Sequence, residues 1–381
     1  MTRPDPLAAL TLPELRRRTS MKWRTHADDV LPLWVAEADV PLAPAIVDAV
    51  TAAVRGGDTG YPCGTGYAEA LAGFARDRWG WDGIDPARTR LVPDVMQGIV
   101  EVLRALTPPG DAVVVTPPVY PPFHEFLRHA GWHVFEAPLT PDGRLDPASL
   151  ERAFTYRRAR AFLLCSPHNP TGTVHTADEL AGVAALAGRH GVTVVADEIH
   201  APLVDPGTTF TPWLSVPGSE RGFSLQSASK GWNLAGLKAA VAVAGPGAGE
   251  ALGRIPVEML AVGASHVAVQ AHVAALNGAR DWLDGFVAGI ARNRAALAEL
   301  LAARLPSVGH RPAPATFLAW LDCREAGLGD DPAAVFLERG RVALNDGRAF
   351  GTGGAGHVRL NLGTTPEILD EAVRRMAGAV S

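Results

Sequence analysis

Cysteine is scarce: the 381 residues hold three, Cys63, Cys165 and Cys323, widely spaced and with no C-x-x-C pair. So few, and an odd number, exclude a disulfide scaffold and a zinc ribbon and fit reduced thiols in a cytoplasmic protein. Only Cys63 reads as lying near a motif, and its role reads as structural. Long apolar runs are missing too. None approaches the roughly 18 residues needed to cross a bilayer, and Leu237 to Val243 is broken by Lys238 and soon meets Gly245. Met1 to Arg18 mixes Pro, Arg and short apolar stretches, without the continuous apolar core of a signal peptide. Charge of one sign is also lacking: the net charge is -5 with no basic block, which argues against nucleic acid as a partner. The expectation is a soluble, cytoplasmic protein that binds neither membrane nor nucleic acid. No repeat period, low-complexity linker, G-x-S-x-G elbow or Walker loop occurs.

What is present is ordinary globular material, 47% apolar and 20% charged, enough for a large core. From about residue 44, helical and strand patterns alternate. Ile46, Val47, Val50, Ala53 and Val54 recur at helical spacing up to Gly56-Gly57, and Ile99 to Leu106 does the same before Pro108-Pro109. Short apolar runs follow at Ala112–Thr116, Trp132–Glu136, Ala161–Cys165, Val192–Ala196, Phe223–Gln226 and Ala239–Ala244, with a helix over Leu180–Ala187. Buried runs alternating with helices predict an α/β fold, a mostly parallel sheet covered on both faces. After about residue 246 the texture changes to long helical stretches, Val257–Ala275 and Trp282–Leu305. An alternating run Thr316–Asp322, a helix Pro332–Arg339, a strand His357–Leu362 and a helix Pro366–Ala379 come next. The expected organisation is a large domain over 44–279 and a smaller α+β domain from 1–43 plus 280–381.

Ligands of such sheets bind beyond the carboxyl ends of the strands, so the residues after each run carry the chemical reading. Ser227-Ala228-Ser229-Lys230 follows one strand. A lysine there becomes a usable amine nucleophile and base if desolvated, and two hydroxyls suit a phosphate; alone, the motif is weak and reads first as an exposed loop lysine. Asp197-Glu198-Ile199-His200 follows another, placing a carboxylate able to pair with a protonated ring nitrogen, or simply to face solvent. Ser166-Pro167-His168-Asn169-Pro170-Thr171-Gly172 is turn chemistry, and Asn169 is an amide that can donate to a phenolate oxygen. Pro117-Pro118-Val119-Tyr120 places the Tyr120 ring after a fourth strand. Pro93-Asp94-Val95-Met96-Gln97-Gly98 opens a helix, whose first backbone N–H groups bind phosphate. An amine, a carboxylate, an amide, a ring and a phosphate cradle at successive strand ends are more specific together than singly.

With these motifs in this order, the chain resembles the fold-type I pyridoxal-phosphate (PLP) enzymes, the aspartate-aminotransferase-like superfamily, over essentially its full length. The resemblance implies pyridoxal 5'-phosphate as cofactor in the three-layer large domain, carried by Lys230 as a Schiff base. It implies Asp197 on the ring nitrogen, Asn169 on the phenolate oxygen, Tyr120 against the ring, and Ser227, Ser229 and the backbone of Val95 and Met96 at the phosphate. It also implies a homodimer with shared sites, in which Tyr61 of Thr59-Gly60-Tyr61 reaches the partner's phosphate. Arg359 of His357-Val358-Arg359-Leu360-Asn361 would grip the substrate α-carboxylate with its planar fork.

Within the superfamily, Met21-Lys22-Trp23, Leu33-Trp34-Val35-Ala36-Glu37-Ala38-Asp39, the His168-Asn169-Pro170 turn, His200 in place of tyrosine, and Ser229 to Leu237 are similar to the MalY/PatB-like cystathionine β-lyase branch. That adds Trp34 on the substrate side and His200 and Lys238 at the cofactor, Lys238 standing where an arginine is usual. Glu37, Ala38 and Val40 depart from the branch pattern, and so does Asp94, a charge expected to point away from a phosphate or to cap the helix. The implied activity is cleavage of cystathionine or another cysteine S-conjugate to a thiol, pyruvate and ammonia. An L-amino-acid aminotransferase shares every motif, and a binding protein that retains PLP is a further alternative. Two other motifs are set aside. Gly351 to Gly356 matches G-x-G-x-x-G but precedes a strand, and His124 and His129 are five apart, on different helix faces. No metal site is expected.

Overall fold

The computed structural model describes residues 4–156, 159–257 and 263–380. Five strands run parallel and adjacent, in the order Phe223–Gln226, Thr193–Asp197, Ala159–Cys165, Ala112–Val115, His133–Glu136. Ala240–Ala244 adds antiparallel to Phe223–Gln226, and Thr89–Val92 adds antiparallel outside it, completing seven strands. Strand periodicity sends alternate side chains to opposite faces. Val113, Val115, Ala161 and Leu163 pack into one cluster with the helix Val95–Leu106. Val114, Phe162 and Leu164 pack into another with Leu180 and Val183 of the helix Ala177–His190. The foreseen three-layer, mostly parallel α/β sheet is what forms. Thr89–Val92 has no apolar run to announce it; Thr89 and Arg90 take half of its four positions.

Helix ends follow local chemistry. The helix Pro44–Gly56 stops where Gly57 turns left-handed, with φ of 70°, a conformation glycine adopts without strain. Gly98 lets the helix Val95–Leu106 lie against the sheet, since a Cβ there would sit 2.8 Å from both Leu225 Cδ1 and Val92 Cγ2. The long helical stretch expected from Val257 is corrected. Residues 258–262 lie outside the described residues, and the helix begins only at His266, where the Ser265 hydroxyl accepts from the Ala268 N–H. The following helix runs Arg280–Arg304.

A second, antiparallel sheet is ordered Asn345–Asp346, His357–Asn361, Leu318–Asp322, Gly309–His310. The glycine segment 351–356 is a turn region before the strand His357–Asn361, with φ positive at Gly351, Gly353 and Gly356. Leu15, Trp23, Leu31 and Leu33 pack with Leu297, Phe336, Leu360 and Val373, so the N-terminal segment shares a core with the C-terminal elements. Leu31–Pro32 also pairs with Val342–Ala343.

From there residues 34–40 cross to the large sheet as a strap, and polar side chains pin almost every peptide. Asn361 donates to the carbonyls of Val35 and Glu37, both at 2.7 Å; Asn233 exchanges hydrogen bonds with Ala38 at 2.8 and 3.0 Å. Lys22, 1% exposed, pairs with the buried Asp39 at 2.7 Å and donates to the Glu37 carbonyl, while Trp23 Nε1 donates to Asp39 at 3.0 Å. The Met21-Lys22-Trp23 motif is therefore the anchor of the strap. Removing one member of a buried pair strands the other charge, at about 3–5 kcal/mol. Lys22→Met is expected to lower the free energy of unfolding by that amount in denaturant melts, and Lys22→Met with Asp39→Leu to recover part of it.

Candidate active site

The motif residues converge at the carboxyl ends of the parallel strands. A cavity of about 120 Å³ lies there under the strap, roofed by Ala36. Val95, Met96, Tyr120 and Asn169 line it, as do Asp197, His200, Ser229, Lys230 and Lys238. Tyr61, Ser227, Trp34 and Arg359 do not. Tyr61 is 79% exposed on the outer surface. The Ser227 hydroxyl donates to the Ala239 carbonyl at 2.8 Å and accepts from the Ser229 N–H at 3.1 Å, so it braces the turn before Lys230. Trp34 and Arg359 stand one layer back: Arg359 donates to Asn169 Oδ1 at 3.1 Å, to the Trp34 carbonyl at 3.0 Å and to Asn345 Oδ1 at 2.5 Å. A larger cavity of about 750 Å³ beside Cys63 and Tyr67 has no lysine or carboxylate in its wall, so the chemistry belongs to the smaller one.

Lys230 Nζ donates to the Ala36 carbonyl at 2.9 Å. Burial, with the Arg359 cation near, lowers its ammonium to about 8, opposed by Glu37 and Asp197. Near neutral pH a useful fraction is the free amine. Burial also pushes His200 well below its ordinary range, helped by Lys230 and Arg359, so the imidazole is neutral. Asp94 resolves its own anomaly. One oxygen accepts from the Gln97 N–H at 2.8 Å as the helix cap and the other pairs with Lys238 at 2.9 Å. The first helical N–H groups, Val95 and Met96, are thereby left for an anion.

Cys165 also lines the cavity, a residue that the reading of Cys63 as the one cysteine near a motif overlooked. Its place as the last residue of the strand Ala159–Cys165 was the available signal. Its sulfur accepts from the Asn169 N–H at 3.4 Å, and burial with the nearby Asp197 pushes the thiol up, which keeps it protonated.

Burial raises Asp197 to about 6, opposed by the Ile199 N–H at 3.1 Å and by Lys230. Burial raises Glu198 to about 7, opposed by Ser224, the Trp213 N–H at 2.6 Å and Gln226 at 2.6 Å. These folded values lie above those of the unfolded chain, about 3.9 and 4.3. Each group therefore favours folding fully below about pH 4, and that contribution is lost as pH rises through 6 and 7. Lys230, lowered, has the opposite sign and acts above pH 8. Buried histidines such as His200 and His272, lowered, also have the opposite sign, so the test is a difference: without cofactor, the change in stability from pH 5 to 7.5 is expected to be about 1 kcal/mol more favourable in Asp197→Asn than in the wild type. Denaturant melts of the cofactor-free proteins at the two pH values measure this.

Three buried polar atoms around the cavity have no partner among the described residues: His200 Nδ1, Trp34 Nε1 and Arg359 Nε. Arg359, 4% exposed, has only neutral acceptors and no carboxylate within ion-pair distance among the described residues. Buried charges are normally paired. The arrangement suits a guest bearing an anion for the helix N-terminus, a cationic nitrogen for Asp197 and an electrophile for Lys230, together with a second anion for Arg359. Among the described residues no cluster of three metal-ligating side chains exists and no helix is long and apolar enough to cross a membrane.

The chain belongs to the aminotransferase class I and II family, whose model matches residues 44–376. It is 53% identical to the "Putative cystathionine beta-lyase" of Mycobacterium leprae, over 99% of this chain and 98% of that protein. It is 34% identical to the cystathionine beta-lyase of Corynebacterium glutamicum, over 97% of this chain and 99% of that one. Among solved structures, a "putative plp-dependent beta-cystathionase" of Corynebacterium diphtheriae superposes with a TM-score of 0.91 at 34% identity, covering 98% of this chain and 99% of that one.

Proposed function

We propose that this protein is a PLP-dependent carbon–sulfur β-lyase, converting cystathionine or a related cysteine S-conjugate and water to a thiol, pyruvate and ammonia. The observation that carries the reading is full-length similarity to proteins named for that reaction, joined to a cavity whose donors suit this cofactor. Lys230 would hold the cofactor covalently, Asp197 its ring nitrogen, Asn169, Tyr120 and His200 its ring and phenolate oxygen. Val95, Met96, Ser227, Ser229 and Lys238 would hold its phosphate. Bound there, PLP supplies an electron sink for the pair left when the substrate Cα–H bond breaks.

The rest falls to the chain. Arg359, with Trp34 and Asn169 beside it, fixes the α-carboxylate, so that the Cα–H is presented to Lys230. Lys230 Nζ, freed when the substrate amine takes its place, accepts the proton. The carboxylate of Asp197 keeps the ring nitrogen protonated, because a positive partner offsets the cost of its own burial. The strap excludes water from the site, and Lys22–Asp39 holds the strap.

We further infer a homodimer and the domain division at residues 44 and 279. Tyr61 is exposed, and so are Val47 and Val54 of the helix Pro44–Gly56, spaced to share one face. PLP-loaded protein incubated with L-cystathionine and no keto acid is expected to release pyruvate and thiol in equal amounts, at twice the mass of one chain by light scattering. Amino transfer appearing only with a keto acid would make it an aminotransferase.

A further inference from the structure

Tyr67, on the helix Gly66–Trp79, and His272, on the helix His266–Gly278, are buried within an apolar cluster. Tyr67 Oη lies 2.7 Å from His272 Nδ1, and His272 Nε2 lies 2.9 Å from the Leu237 carbonyl. A carbonyl only accepts, so Nε2 carries the proton and Nδ1 is the acceptor. The Tyr67 hydroxyl therefore donates to His272, and it accepts from the Ala228 N–H at 3.1 Å. Burial keeps the imidazole neutral, lowering it to about 4, so the direction of the chain is fixed at neutral pH.

Ala228 and Leu237 are the two ends of the loop that carries Lys230. Below them the strands Phe223–Gln226 and Ala240–Ala244 pair through backbone bonds as far as Gln226 and Val241. There the chains diverge, and side chains take over the rungs. The Ser227 hydroxyl spans to the Ala239 carbonyl, and Tyr67 with His272 spans the wider gap from Ala228 to Leu237. Both rungs are buried, where an unmade hydrogen bond is costly and a made one rigid.

We propose that Tyr67 and His272 are positioning residues that clamp the 228–237 loop and so set the aim of Lys230 Nζ. The inference rests on Lys230 being the cofactor-bearing lysine. Neither residue lines the cavity that holds Lys230, though Tyr67 borders the larger one, and the groups that face Lys230 (Arg359, Lys238, Glu37, Asp197 and His200) lie outside the clamp.

Tyr67→Phe keeps the ring and removes both hydrogen bonds. It is expected to lower kcat roughly 10–100-fold, as a small misplacement of a reacting group does, with KM within about twofold. Two readouts do not need turnover: the pH titration of the visible absorption of the lysine-bound cofactor, and the pH dependence of Lys230 labelling by an amine reagent in cofactor-free protein. Both midpoints are expected to move in Tyr67→Phe and His272→Leu. His272→Gln, whose amide offers one acceptor and one donor, is expected to restore them. Wild-type kcat and wild-type midpoints in Tyr67→Phe and His272→Leu would overturn the clamp, as would a loss of thermal stability alone. A visible absorption band that survives in Lys230→Ala would overturn the assignment of Lys230, and the clamp with it.

Discussion

Lys230→Ala is expected to abolish pyruvate release from L-cystathionine, a fall of at least roughly 10²–10⁴-fold from loss of the general base alone. It should also remove the visible absorption band of the bound cofactor. The expectation follows from the surroundings of the amine. Lys230 sits in the cavity wall with its ammonium lowered toward neutrality, whereas Lys238, also in that wall, is paired with Asp94. The other candidates there are poor bases: burial with the Lys230 and Arg359 cations opposes protonation of His200, and the Cys165 thiol is held protonated. Lys230→Arg should be as inactive, because a guanidinium stays charged and cannot accept the proton. Turnover within tenfold of wild type in either variant would displace Lys230 from the mechanism.

Most of this site could be read from strand ends alone. Lys230, Asp197, Asn169 and Tyr120 each follow an apolar run, and parallel strands bring such positions together whatever the intervening helices do. Cys165 lay under the same rule and was passed over because it closes a run instead of following one. Ser227 is a case of another kind. Two hydroxyls near a lysine suit a phosphate, but which of them turns inward depends on where the strands diverge, and that is set by pairing with Ala240–Ala244 across the sheet. Lys22 with Asp39 and Tyr67 with His272 were beyond local pattern altogether. Their partners are 17 and 205 residues apart, and a buried polar pair leaves no periodicity. Thr89–Val92 forms as a strand because Ala240–Ala244 offers it an edge, against its weak intrinsic preference.

Arg359→Leu is expected to lower kcat/KM for L-cystathionine roughly 10²–10³-fold, in line with about 2–5 kcal/mol for truncating one partner of a buried charged contact. Most of the loss should appear in KM, since the residue holds the substrate and moves no proton. Its guanidinium is buried over the Phe350 ring at 5.2 Å, and the strand pairing of Asn345, Arg359 and Trp320 fixes its base. Burial lowers it only to about 10, so the charge persists at neutral pH with neutral oxygens as its sole acceptors among the described residues. A carboxylate is a stronger acceptor than any of these, and a planar fork can bind both of its oxygens. Arg359→Lys keeps the charge and loses the fork, and should fall between the two. Because Arg359 stands behind the cavity wall, both variants should retain the cofactor band. Loss of the band together with activity would assign Arg359 to cofactor binding; a fall of less than tenfold in kcat/KM would remove it as the carboxylate anchor.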